Sequence, residues 1–265
     1  NVAGGRPGTG CGLNATNDES CGGSRITLMG KTIISLTTIP PRMDSIGATL
    51  QSLVGQSAAI DAIILWIPET YRRAEFSDFS LPEVPEAVEI RRCDRDYGPA
   101  TKILPAIRAF QGQDVRIIYC DDDRIFHPDW AANLLRESDQ HPGQCMTEAG
   151  EVVELTIRKA FYAGQTYKLL KYATLGLYGY FYRRKNRALD PGRGRVDICK
   201  GYGGVLVRPE FFTDAAFDIP DLLWTVDDFW LSGQLALNGI PIRKITQVEN
   251  SDKKALAEVR ALEDL

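Results

Sequence analysis

Histidine is nearly absent: His127 and His141 are the only two in 265 residues, so a metal centre built on several histidines is excluded. The six cysteines (Cys11, Cys21, Cys93, Cys120, Cys145 and Cys199) include no CxxC pair and no Cys/His spacing that would seat zinc. Cys120 ends a strand-like run and reads as a small buried apolar residue. Cys11 and Cys21 could close a loop in an oxidising compartment, and Asn14-Ala15-Thr16 has the form of a glycosylation acceptor. The expected setting is nevertheless reducing and cytoplasmic, with at most a peripheral place on the inner face of a membrane. No apolar run reaches the ~18–20 residues of a membrane span. The aromatic stretch Tyr172–Tyr182 is too short and runs straight into Arg183, Arg184 and Lys185. A basic start followed by an apolar stretch, the mark of a signal peptide, is also missing. Positive charge is not in excess: 31 Lys and Arg against 35 Asp and Glu leave a net charge of −4, which argues against nucleic acid as a partner.

What is present is an ordinary globular composition, 44% hydrophobic and 25% charged, sufficient for one catalytic domain. Residues 1–30 are rich in Gly, Ser, Thr and Asn without periodicity and are expected to be a flexible leader. Gly30-Lys31-Thr32 ends like a phosphate loop, but the earlier glycine of that motif would fall on Arg25. From Lys31 the pattern changes. Strands are expected at Thr32–Thr37, Ile60–Ile67, Val88–Arg92 and Val115–Cys120. Between them come helices capped by Asp44 and ending near Leu53, and opened by Pro99 and running to Phe110; Pro128 starts another. Such alternation implies a parallel sheet covered on both faces. Later, Val152–Tyr162 and Tyr167–Tyr182 read as strand-rich. Val205–Val207 and Ile242–Ile245 read as short strands flanking a helix from about Asp227 to Leu237. The expected organisation is a nucleotide-binding half over 31–124, an acceptor half over 125–247 and a tail over 248–265.

Asp121-Asp122-Asp123 directly follows the apolar run Val115–Cys120. Three adjacent carboxylates repel one another, and their desolvation is costly without a cation. Alternate residues leaving a strand point the same way, so Asp121 and Asp123 can share one side. Mg²⁺ or Mn²⁺ suits carboxylates joined by substrate phosphates. In open α/β sheets, ligands sit beyond the carboxyl ends of strands. Asp96-Tyr97-Gly98-Pro99-Ala100-Thr101-Lys102 offers free backbone N–H groups and a lysine to an anion, or is simply a turn with an exposed lysine. Asp227 and Asp228 open the late helix, where carboxylates either cap it or supply a general base. Gly201-Tyr202-Gly203-Gly204 could admit a sugar close to the backbone or merely turn. Tyr202, Trp224 and Trp230 are ring surfaces for a sugar, or core residues.

In this order, these pieces resemble nucleotide-sugar-dependent glycosyltransferases of the GT-A fold, bacterial polysaccharide-type members in particular. The matching residues are Ser35–Arg42, Leu50–Leu53, Asp96–Lys102, Asp121–Asp123, Gly203-Gly204 and Asp227–Ser232. The resemblance implies an α/β fold: a Rossmann-like mixed sheet flanked by helices, in a single catalytic domain. It places Thr37, Thr38, Arg42 and Asp96 by the base and ribose of the donor, with Asp122 beside them. Lys102 falls near the pyrophosphate, Asp121 and Asp123 on Mn²⁺ or Mg²⁺, and Tyr202, Gly203, Gly204, Trp224 and Trp230 by the acceptor. Asp228 matches the second acid of a Glu-Asp pair that acts as base in inverting members; Asp227 stands where the glutamate would be. The lack of a late histidine favours inversion. The partners so implied are a UDP- or GDP-sugar and a saccharide acceptor. A nucleotidyltransferase acting on sugar phosphates also pairs carboxylates with Mg²⁺, but no glycine-rich basic triphosphate loop is present. A non-catalytic carbohydrate-binding module is the remaining alternative.

Overall fold

The computed structural model describes residues 30–153 and 194–245. The expected leader, the Cys11/Cys21 pair, the strands assigned to Val152–Tyr162 (but for its first two residues) and Tyr167–Tyr182, and the tail lie outside the described residues. Four strands, β1 (Lys31–Thr37), β2 (Ala62–Pro68), β3 (Val88–Cys93) and β4 (Val115–Tyr119), pair in parallel in the order β3-β2-β1-β4. Their near-continuous apolar runs are explained by burial on both faces. Ile33, Ile64, Ile117 and Tyr119 enter one core cluster, whereas Ile34, Ile63, Leu65 and Ile118 enter the other.

Helices cover the two faces. On one lie α1 (Gly47–Val54) and α3 (Trp130–Gln140), through Leu50, Leu53, Trp130 and Leu134. On the other lie α2 (Leu104–Ala109) and α4 (Asp227–Leu237), through Leu104, Ile107, Leu231 and Leu235. Two sequence expectations need correction. Asp44 does not cap α1: the helix begins at Gly47 after a turn, with Ile46 at the cap position and no side-chain capping bond. The helix expected from Pro99 to Phe110 is split into a 3-10 segment, Gly98–Lys102, and α2. Pro105 is the reason. Lacking an N–H, it is accommodated in a helix's first turn, so the helix restarts beside it.

The sheet continues past β4 with reversed polarity. β9 (Val205–Val207) runs antiparallel to both β4 and β5 (Cys145–Thr147); β10 (Ile242–Lys244) is parallel to β5, and β7 (Gly194–Val196) closes the edge antiparallel to β10. The result is one mixed eight-stranded sheet flanked by helices, the architecture expected from the sequence. A separate ribbon pairs β6 (Gly150–Glu151) with β8 (Ile198–Cys199). Strand order runs outward in both directions from the β1/β4 pair. That is the switch point at which open sheets leave a crevice beyond their carboxyl ends.

Candidate active site

A cavity of about 270 Å³ opens at that switch point. Its floor is the acid run that follows β4. The three carboxylates separate into different environments. Asp122 turns inward, 6% exposed, and accepts hydrogen bonds from Arg42 Nη1 and Thr38 Oγ1, both at 2.5 Å. Burial pushes its pKa up, opposed by Arg42 and the Thr38 bond. Asp121 faces the cavity and pairs with Lys102 Nζ at 2.5 Å. Asp123 also lines the cavity, with Arg42 3.9 Å away, and its Oδ1 is buried without a hydrogen-bond partner.

Lys102 is not the exposed lysine that a simple turn would have left. It is 4% exposed and lies between Asp121 and Asp227 Oδ2, the latter at 2.9 Å. Burial works against its charge, yet Asp121, Asp227 and Asp228 outweigh it and hold the pKa well above the ordinary lysine value. One buried ammonium thus ties the end of β4 to the first turn of α4. Gly201 makes room for this junction, since a Cβ there would come within 2.5 Å of Lys102 Nζ and 2.7 Å of Asp121 Oδ1.

Asp227 and Asp228 occupy the first turn of α4, where the helix dipole favours negative charge. Asp228 Oδ1 accepts the Gly201 N–H at 2.9 Å, and its Oδ2 faces Lys200 Nζ at 3.7 Å. Burial and the neighbouring Asp227 push the Asp228 carboxyl up to about 8, against the pull of Lys102 and Lys200. Ser232 Oγ donates to the Asp228 carbonyl and accepts the Cys199 N–H, stitching this turn to β8.

On the other wall, the Thr37 hydroxyl donates to Trp66 O, and Tyr71 OH donates to Thr38 O. Asp96 lines the cavity, but both its oxygens already accept backbone N–H groups, from Arg72 and Gly98. Trp224 forms part of the rim, with the guanidinium groups of Arg72 and Arg73 over its ring at 5.2 and 5.9 Å. Gly98, at φ +60°, lets the chain pass against Trp224, where a Cβ would come within 2.8 Å of its carbonyl. Tyr202 is exposed at the mouth, with Arg124 over its ring at 4.7 Å.

Three residues expected near an acceptor lie elsewhere. Trp230 is buried in the core and donates its indole N–H to Ala216 O. Gly203 and Gly204 do not line the cavity. Gly203 O accepts the indole N–H of Trp130, and Gly204, at φ +83°, packs where any Cβ would strike that ring. The pair is small so that an indole can fit against it. Sequence reasoning missed Lys200, Tyr71 and Phe76 at the cavity. Lys200 stands next to the glycine-rich Gly201–Gly204 run, the one available signal. Among the described residues, no three of His, Cys, Asp and Glu gather into a ready-made metal shell, and no helix is long and apolar enough to cross a membrane.

No protein-family model and no curated protein matches the chain. Solved structures do. S. aureus TarS in complex with UDP is 11% identical, with a TM-score of 0.48 over 82% of this chain and 58% of its own. A mannosyltransferase from Pyrobaculum calidifontis in complex with GDP-Man and Mn²⁺ is 11% identical, with a TM-score of 0.49 over 88% of this chain and 59% of its own. M. tuberculosis glucosyl-3-phosphoglycerate synthase is 14% identical, with a TM-score of 0.41 over 88% and 76%. The chain therefore spans less than two thirds of the length of the first two. Likenesses this loose assign no activity, which has to be read from the cavity itself.

Proposed function

We propose that this chain is a GT-A-type glycosyltransferase that moves a sugar from a nucleoside-diphosphate sugar onto a hydroxyl of a saccharide acceptor. The observation that carries this reading is the meeting of two acid pairs from opposite halves of the chain. Asp121 and Asp123 leave β4, Asp227 and Asp228 open α4, and all four line one cavity at the sheet's switch point. A cation held by carboxylates can serve the charged leaving group, and a single carboxylate base can serve the neutral nucleophile.

The acid run fits a divalent cation. Asp123 Oδ1 is buried and accepts no hydrogen bond; such an orphan is costly, and a hard cation is the partner that suits it. Asp121 and Asp123 would hold Mn²⁺ or Mg²⁺, with water and diphosphate oxygens completing its ligands. When bound, the ion offsets charge on the departing nucleoside diphosphate. Thr37, Thr38, Arg42 and Asp96 border the base and ribose end, Tyr71 and Phe76 give it apolar walls, and Lys102 stands nearest the diphosphate. Trp224 and Tyr202 offer ring faces to sugars.

Asp228 serves as the base. The Gly201 N–H occupies Oδ1, which leaves Oδ2 to take a proton. A carboxyl with a pKa near 8 is a far better base at neutral pH than an ordinary aspartate. The acceptor hydroxyl gives its proton to Oδ2, and its oxygen bonds to the anomeric carbon. The bond from that carbon to the diphosphate breaks with its electron pair, inverting the centre. Lys102 keeps its proton and fixes the spacing of Asp121 and Asp227 throughout.

A thermal-shift screen of UDP-, GDP- and CMP-sugars with and without Mn²⁺ tests this reading. One donor should raise the melting temperature only when Mn²⁺ is present, and Asp123→Ala should erase that shift. If no donor stabilises the protein, or if Asp123→Ala responds like the parent, the proposal fails.

A further inference from the structure

Lys200 directly follows β8, and its ammonium reaches the cavity beside Asp228. Its side chain is only 14% exposed, yet among the described residues Nζ makes no hydrogen bond. The nearest carboxylate oxygens, Asp228 Oδ2 and Glu151 Oε1, stand 3.7 and 3.6 Å away, and the Phe229 ring lies 4.8 Å below. An ammonium carries three donors, and leaving them unfilled in a largely desolvated place is costly. The gap belongs to the framework. Lys200 N is tied to Ala149 O at 2.9 Å, and the next residue, Gly201, holds Asp228 Oδ1 at 2.9 Å.

A separation of 3.7 Å is too long for a direct hydrogen bond, but an oxygen set to one side can lie about 2.8 Å from both groups. That oxygen has to accept from the ammonium and donate to the carboxylate. A hydroxyl does both; a carboxylate or phosphate does not. The local charge points the same way. The two groups nearest the Lys200 ammonium, Asp228 and Glu151, are both acids, so a neutral oxygen suits this corner better than an anion.

We infer that Lys200 holds the acceptor: its ammonium donates to a hydroxyl oxygen of a neutral saccharide while that hydroxyl donates to Asp228 Oδ2. This rests on the transferase reading and on Asp228 as base. In the step itself the hydroxyl proton passes to Oδ2, and the oxygen lone pair forms the bond to the anomeric carbon. The bond from that carbon to the diphosphate oxygen breaks, and its electron pair leaves with the nucleoside diphosphate. Lys200 keeps its proton and its hold on the oxygen.

Initial rates with Mn²⁺, with UDP-glucose, UDP-N-acetylglucosamine and GDP-mannose as donors and a panel of neutral methyl glycosides as acceptors, decide the matter. Lys200→Met should raise the acceptor KM by on the order of ten- to a hundredfold, the loss of one hydrogen bond to a charged group, and move the donor KM by less than about twofold. Lys200→Arg should recover part of the acceptor affinity. If the donor KM rises in step, Lys200 grips the diphosphate and the inference is overturned; an unchanged acceptor KM overturns it equally. Should Lys200→Met fail to fold, Lys200→Arg still decides through the same two constants. Full transfer by Asp228→Asn would sink the base assignment and the shared hydroxyl with it, whereas a dead Asp228→Asn beside a normal acceptor KM in Lys200→Met sinks this inference alone.

Discussion

On the wall built by the parallel strands, most polar groups already have partners within the protein, whereas on the wall built by β8 and α4 the charged groups face the cavity with capacity to spare. Asp122 is taken by Arg42 and Thr38, Asp96 by two backbone N–H groups, and Thr37 by Trp66. Lys200 makes no hydrogen bond among the described residues, and Asp228 is bound through one oxygen only. The contrast suits two different substrates. A donor nucleotide is bound best by a rigid, preorganised surface. A nucleophile needs unfilled donors and acceptors that close around it during reaction. Asp123, with its orphaned oxygen, is the exception on the first wall, and it is where a cation would sit.

The largest expected effect breaks the open wall chemically. Asp228→Asn keeps an acceptor for the Gly201 N–H but cannot take a proton, so kcat should fall by about 10²–10⁴, the usual worth of a general base. Donor affinity, measured by calorimetry, should stay near that of the parent; a variant that still turns over at full rate removes Asp228 from the mechanism.

The next breaks the closed wall structurally. Asp122→Ala removes the shortest ion pair of the buried Arg42 guanidinium, with Asp123 left 3.9 Å away, and should cost about 3–5 kcal/mol in urea unfolding, as expected for one partner removed from a buried ion pair. A cost below about 1 kcal/mol, the range of a surface pair, would show that this wall is not held as described.

A third test sharpens the comparison through pH. The folded-state pKa of Asp228, about 8, lies above that of an unfolded aspartate, so the folded chain binds the proton more tightly. This contribution is full below the unfolded value and is lost as pH rises through about 8. Between those limits stability should decline, and Asp228→Asn should flatten that part of the profile. Transfer activity should climb over the same range as the base ionises. A stability profile identical in parent and variant would mean that Asp228 is as well solvated as any surface carboxylate.

Much of the parallel half was legible because its strands are buried on both faces, which leaves the unbroken runs Thr32–Thr37, Ile60–Ile67 and Val115–Cys120 in the sequence. The helix at Asp227–Leu237 was legible too, and it buries Trp230, Leu231 and Leu235 at helical spacing. Local patterns reveal less about which way a polar side chain turns. Nothing in Asp121-Asp122-Asp123 marks the middle residue as the one held inside. The sequence leaves Lys102 open between an anion-binding and an exposed lysine, because its partners Asp121 and Asp227 come together only in the folded sheet. Gly203-Gly204 read as a sugar-facing turn because the ring that requires them, Trp130, comes from a distant helix.

The Lys102 bridge has a consequence for descent. Replacing Asp121 or Asp227 alone takes away one of the two carboxylates in direct contact with an enclosed positive charge, and replacing Lys102 alone leaves those acids, with Asp228 beside them, facing one another. A single substitution at any of these positions therefore leaves buried charge unbalanced, so the trio is expected to change together or not at all.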